Sequence, residues 1–129
     1  MSEKLNELVK YRIQQAYETI AEVEFQIANN YLNTAVTRIY YGMFYILLAL
    51  ALKNNFKTSK HQQLIGWFNK EFVKSGKVDT RLGSIIHKAY EDRTDSDYGI
   101  FIEFEKAEVQ IKLEEMNEFI SKIDKLIID

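Results

Sequence analysis

The chain has no cysteine and no proline. Without a thiol there is no disulfide framework and no thiolate to act as nucleophile or metal ligand. The lack of proline, with only five glycines, leaves little of the turn-forming material that a many-stranded sheet needs. It favours a few long helices joined by short loops, an all-α bundle of four to five helices. Histidine is scarce too, His61 and His87 being the only two, and no nucleophilic triad can be assembled around a serine. There is no glycine-rich phosphate loop. No apolar run reaches the ~20 residues of a bilayer-spanning helix, and no basic, apolar, small-residue leader stands at the N-terminus, so the chain reads as cytoplasmic with no membrane partner. With 129 residues, 47% of them hydrophobic, it can build one core but not two ordinary domains, and residues 1–129 read as a single helical domain.

Periodicity supplies the elements. Leu5, Val9, Ile13, Ala16, Ile20, Val23 and Ile27 recur at intervals of three and four, which predicts a long amphipathic helix from about residue 4 to the Asn29-Asn30 pair. A second helix runs from Tyr31 to about Asn54. Its segment Ile39–Leu52 is apolar on every side, too short to span a bilayer comfortably and better suited to a core helix or to one shared with a second subunit. Thr58-Ser59 followed by Gln62 makes a plausible capping box for a third helix carrying Leu64, Ile65, Phe68 and Phe72 inward until Ser75-Gly76. Asp79 caps a fourth helix to about Arg93, and Thr94–Gly99 reads as a loop. A fifth helix, about Ile102 to Ile127, turns Phe104, Ala107, Ile111, Met116, Ile120, Ile123 and Ile127 inward.

The formal net charge of −2 hides an uneven distribution. Lys53, Lys57, Lys60, Lys70, Lys74, Lys77 and Arg81 face only Glu71 and Asp79 within their segment. Such a basic stretch on an acidic protein is either a phosphate-facing surface or a set of solvated lysines. A di-iron reading fails on spacing: Thr58 and Ser84 stand three residues before the two histidines, where ferritin-like Glu-x-x-His pairs need glutamate. His87 with Glu91 and Asp92 fits an ordinary exposed polar cluster, so no metal and no cofactor is expected. His61, in the first turn of the third helix beside Lys60, stands where a positive dipole end favours an anion; its plainer reading is a histidine edging the core.

The sharpest feature is Arg93-Thr94-Asp95-Ser96-Asp97-Tyr98. Leu82, Ile86, Ala89 and Arg93 fall on one helical face, which points a guanidinium toward the interior or a cleft in it. A charge there is costly unless paired, and arginine grips a carboxylate or phosphate with two parallel hydrogen bonds. The arrangement is therefore either an internal pair with Asp95 or Asp97 that pins the chain, or an anion site. Arg38 is a second inward arginine, sharing its face with Ala35 and Gly42 and flanked by Tyr40, Tyr41 and Tyr45. It pairs with Glu24 or a loop carboxylate, or it forms with Arg93 the two walls of one anion site.

Three motifs resemble the HEPN domain over essentially the whole chain: Arg38-Ile-Tyr-Tyr-Gly-Met-Phe-Tyr, Lys60-His61-Gln-Gln-Leu-Ile-Gly-Trp-Phe-Asn-Lys-Glu-Phe-Val, and Arg93-x-x-x-Asp97-Tyr98. The resemblance implies an up-and-down bundle that forms a homodimer, often encoded in prokaryotes beside a minimal nucleotidyltransferase. Several branches of the family are metal-independent ribonucleases, including toxins of toxin–antitoxin pairs, and carry an arginine followed after four to six residues by a histidine. Arg93 matches that arginine, but Tyr98 stands where a four-residue gap would place the histidine. A phenol with an ordinary pKa of about 10 is a poor general base at neutral pH. The resemblance thus implies a protein that binds a nucleotide or RNA through Arg38, Lys60, His61 and Arg93, as the partner subunit of a nucleotidyltransferase in a toxin–antitoxin or defence pair. In that pairing Tyr98 is a candidate nucleotide-accepting hydroxyl. The alternative is a metal-independent endoribonuclease using Arg93, Asp97 and Tyr98, with His61 supplying the missing imidazole. Either way, Arg93 and Tyr98 are expected in a cleft with Arg38 or His61.

Overall fold

The computed structural model describes residues 2–99 and 102–127. Among them lie five α-helices: α1 (Glu3–Ala28), α2 (Leu32–Lys53), α3 (His61–Phe68), α4 (Thr80–Asp97) and α5 (Lys106–Ile127), with a π-helical turn, Asn69–Val73, continuing α3. The all-α bundle implied by the missing proline is what forms. Ser2 caps α1 by accepting from the Leu5 N–H at 3.1 Å, and Asp79 caps α4 by accepting from the Arg81 N–H at 2.8 Å. Asn30 and Asn55, at φ 62° and 61°, carry the chain out of α1 and α2 in the left-handed conformation that asparagine tolerates better than most residues.

α2 is the axis of the bundle and packs on all four other helices. By length and composition it could cross a membrane, but 72% of its apolar window is buried inside the bundle, as befits a core helix. The apolar circumference of Ile39–Leu52 is therefore covered within one chain and needs no second subunit to explain it. Each such Leu, Ile or Phe removed from water contributes ~1.5–3 kcal/mol, and α2 supplies more buried residues than any other helix described. Gly42 permits its closest approach: a Cβ there would overlap Met116 Cε of α5 and lie 3.3 Å from Thr19 Cγ2 of α1. Tyr17 Oη donates to Asp124 Oδ2 at 2.7 Å and ties α1 to α5 on the outside. The π-helical turn keeps Phe68 and Phe72 both buried, while Asn69 and Val73 press on Gly83 of α4.

Three local expectations are corrected. Thr94–Asp97 is helical, not a loop, because Arg93 and Asp97 pair one turn apart and extend α4. α5 starts at Lys106 rather than Ile102, and its buried stripe is Val109, Leu113, Met116, Phe119, Ile120, Ile123 and Ile127. Ala107 and Ile111 lie off that stripe and are exposed. The capping box does not form: Lys60 is the N-cap of α3 without a side-chain bond, while Thr58 Oγ1 donates to Gln63 Oε1 at 2.5 Å and accepts from the Lys60 N–H at 3.1 Å.

Candidate functional site

α2, α3 and α4 meet around a cluster of rings. Tyr40 and Phe44, one turn apart on α2, receive the His61 imidazole from the start of α3. Its ring stacks on Phe44 with centroids 4.2 Å apart and planes 13° from parallel, and its Nδ1 lies 2.6 Å from Tyr40 Oη. Tyr40 is wholly buried, and burial holds its phenol well above the ordinary tyrosine range, opposed by the Arg93 charge. The hydroxyl therefore stays protonated. Among the described residues its hydrogen-bond partner is His61, so donation to Nδ1 satisfies the buried O–H and assigns the ring proton to Nε2. The imidazole pKa is lowered, first by burial and then by Arg93, with Asp97 acting against them. At neutral pH His61 is thus an uncharged donor through Nε2.

Tyr90, Arg93 and Asp97 form one stripe of α4 facing this cluster. Tyr90 packs 5.5 Å from Tyr40 and 6.4 Å from His61, centroid to centroid. The Arg93 guanidinium lies 5.9 Å from the Tyr40 ring centre and 5.5 Å from that of Tyr41, and its Nη2 donates to Tyr41 Oη at 3.1 Å. Arg93 Nε stands 2.9 Å from Asp97 Oδ2, yet this buried N–H is not aligned as a hydrogen bond to it. Arg93 is 20% exposed, so it is pinned by rings and one carboxylate and keeps donor capacity toward solvent.

The remaining candidates divide. Lys60 is exposed and shares with His61, Gln62, Gln63 and Tyr90 an open groove of about 520 Å³. Arg38 pairs with Glu22 at 3.3 Å rather than with Glu24, in a separate depression between α1 and α2. It touches the other site through Tyr41, whose ring centre is 5.7 Å from the Arg38 guanidinium. Tyr98 is not in the cluster. It ends α4 as the C-cap, 80% exposed, because five helical residues on from Arg93 is more than a full turn and rotates it to another face.

Residue typing passed over two features. Tyr40 is the hydrogen-bond partner of His61 rather than only a phenol near Arg38. Asp92, grouped with exposed polar residues, is 3% exposed. It accepts from Lys112 Nζ at 2.9 Å, and Lys88 Nζ lies 3.2 Å away. The signal was legible: Lys112 sits on the apolar stripe of α5 between Val109 and Met116, where a cation calls for a buried anion. His87 pairs with Glu91 at 3.0 Å on the surface, and among the described residues no group of His, Asp and Glu is arranged to hold a metal ion.

The chain is similar to several known proteins. The chain is 37% identical over 129 residues to a "UPF0332 protein" of Thermotoga maritima, covering 100% of this chain and 97% of that one. It is 34% identical over 116 residues to "Putative toxin MJ0142" of Methanocaldococcus jannaschii, covering 90% and 79% respectively. A second protein of that organism, "Putative toxin MJ0605", is 31% identical over 98 residues, covering 76% and 73%. The family described as the HEPN domain matches residues 9–126. The chain belongs to the HEPN domain family.

Proposed function

We propose that the protein binds RNA or a nucleotide through a phosphate held by Arg93 and His61, with Lys60 adding charge along the groove and Arg38, in its own depression, linked to the site through Tyr41. The observation that carries this reading is the 2.6 Å contact between Tyr40 Oη and His61 Nδ1. It engages one ring nitrogen and presents the other as an N–H, which suits a phosphate oxygen better than proton abstraction. Arg93 supplies the charge, held beside two rings with part of its side chain open to solvent. Likeness to the family, and not the covered α2, is the ground for reading the protein as a homodimer and as the partner subunit of a minimal nucleotidyltransferase, in a toxin–antitoxin or defence pair. The exposed Tyr98 hydroxyl is the group that a nucleotidyltransferase could reach, whereas Arg93 serves the protein's own ligand.

Two relatives bear the name of toxins, which favours a second reading, a metal-independent endoribonuclease in which His61 replaces the imidazole missing at Tyr98. One experiment separates the two. Purified protein is incubated in chelator with a labelled single-stranded RNA pool, beside the Arg93→Ala and His61→Ala variants, and both binding and cleavage are followed. Binding weakened by each substitution, with little or no cleavage, is expected. Rapid cleavage abolished by His61→Ala would replace the binding reading with the nuclease, and RNA binding by neither wild type nor variants would remove both.

A further inference from the structure

The groove beside His61 extends beyond what a phosphate needs. Its volume is about 520 Å³, open to solvent rather than enclosed. Its walls combine a ring, Tyr90, with two amide side chains, Gln62 and Gln63, and one cation, Lys60. Gln63 is oriented by Thr58: its Oε1 accepts the Thr58 hydroxyl at 2.5 Å, which engages one lone pair of the carbonyl and leaves the Nε2 group to donate. Gln62, exposed in the same wall, is able both to donate and to accept.

Building on the phosphate reading above, we infer that this groove is a nucleobase subsite, taking the base next to the phosphate bound by Arg93 and His61 in a single-stranded polynucleotide. Tyr90 supplies a flat apolar surface for the base, and Gln63 donates through Nε2 to a carbonyl or ring nitrogen on its edge. A base that offers an acceptor to this amide, such as the O2 of a pyrimidine or the O6 and N7 of guanine, is preferred over one that meets it with an amino group. The phosphate contact fixes register and the groove reads identity.

The test uses fluorescently labelled tetranucleotides of each base and an abasic ribose–phosphate oligomer of equal length. Anisotropy is measured with wild type, Gln63→Ala, Tyr90→Leu and Arg93→Ala. Base-bearing oligomers are expected to bind wild type at least fivefold more tightly than the abasic one. Gln63→Ala, at an exposed position, narrows that gap and flattens the preference among bases while leaving abasic binding unchanged; Tyr90→Leu narrows it while keeping the side chain apolar. Arg93→Ala weakens all oligomers alike. Tight binding that ignores the base, or a Gln63→Ala loss equal for abasic and base-bearing oligomers, overturns the subsite and leaves the phosphate site standing. Failure of every oligomer to bind removes the phosphate reading, and the subsite with it.

Discussion

Asp92 and Arg93 are adjacent on α4, rotated from each other by about 100° around the helix axis, and they enter opposite environments. Asp92 is 3% exposed and closed between Lys112 and Lys88, a carboxylate with a cation at each oxygen. Arg93 keeps 20% of its side chain in solvent, faces the rings of Tyr40 and Tyr41, and holds Asp97 in an ion pair without an aligned hydrogen bond from Nε. Both are charges drawn toward the interior. The difference is completeness: the Asp92 cluster is closed and binds α4 to α5, whereas Arg93 keeps part of its guanidinium side chain in solvent, where it can meet a ligand. Asp92, with the buried Leu82, Ile85, Ile86 and Ala89, anchors the inner face of α4, beside which Arg93 emerges.

The comparison breaks most visibly in stability. Asp92→Ala leaves Lys112, only 15% exposed, without its carboxylate. Breaking a buried pair in this way typically costs ~3–5 kcal/mol, which urea denaturation would register as a large drop in midpoint. An unchanged midpoint would mean that the cluster holds nothing together. Arg93→Ala is expected to act on the other quantity. Losing a charge-assisted phosphate contact costs ~1.5–3 kcal/mol of binding, at least about tenfold in RNA affinity, with a smaller effect on folding than Asp92→Ala. If Arg93→Ala destabilised the fold as much as Asp92→Ala and spared affinity, the two residues would have exchanged roles.

How much of this was legible in the sequence depends on which physical term dominates. The α1 stripe from Leu5 to Ile27 and the all-round apolar α2 were readable because burial of hydrocarbon writes a period into the chain. The end of α4 was not, since Thr94, Asp95, Ser96 and Asp97 are weak helix formers, and the i,i+4 pair with Arg93 that favours the helix there is one contact among several. α5 was entered out of phase because Ala107 and Ile111 suggest a stripe that the bundle leaves outside. In the site, the inward turn of Arg93 followed from helix phase alone. Its meeting with His61 stood only as an alternative to Arg38, because two residues 32 positions apart are joined by the way α3 and α4 pack on α2. Tyr98 was drawn to Arg93 by proximity in sequence, which the helical continuation of α4 undoes.

Smaller effects sharpen the comparison. Because the folded-state pKa of His61 is lowered from 6.5, the unfolded chain binds the proton more readily. Its contribution to stability is fully present above pH 6.5 and is lost as pH falls through the folded value. Thermal melts across pH 7.5 to 5 should therefore show a decline that His61→Phe reduces. RNA affinity should move the other way and rise as His61 becomes a cation beside the phosphate; affinity that falls in parallel with stability would argue against a phosphate at Nε2. The smallest effect is expected from Tyr98→Phe, which removes a hydroxyl from an 80% exposed ring. RNA affinity should stay within about twofold of wild type, since surface substitutions of this kind rarely exceed ~0.5 kcal/mol. A larger loss would return Tyr98 to the ligand site.

The shared site of Arg93 and His61 is tested most directly by NMR titration of the His61 imidazole, in a chain whose only other histidine is His87. Arg93 holds the His61 pKa down, so Arg93→Ala should raise the titration midpoint. A short single-stranded RNA should also raise it in the wild type, as a phosphate at Nε2 stabilises the imidazolium. A midpoint unmoved by both the substitution and the RNA would show that the two residues neither sense each other nor share a ligand, and would contradict the account.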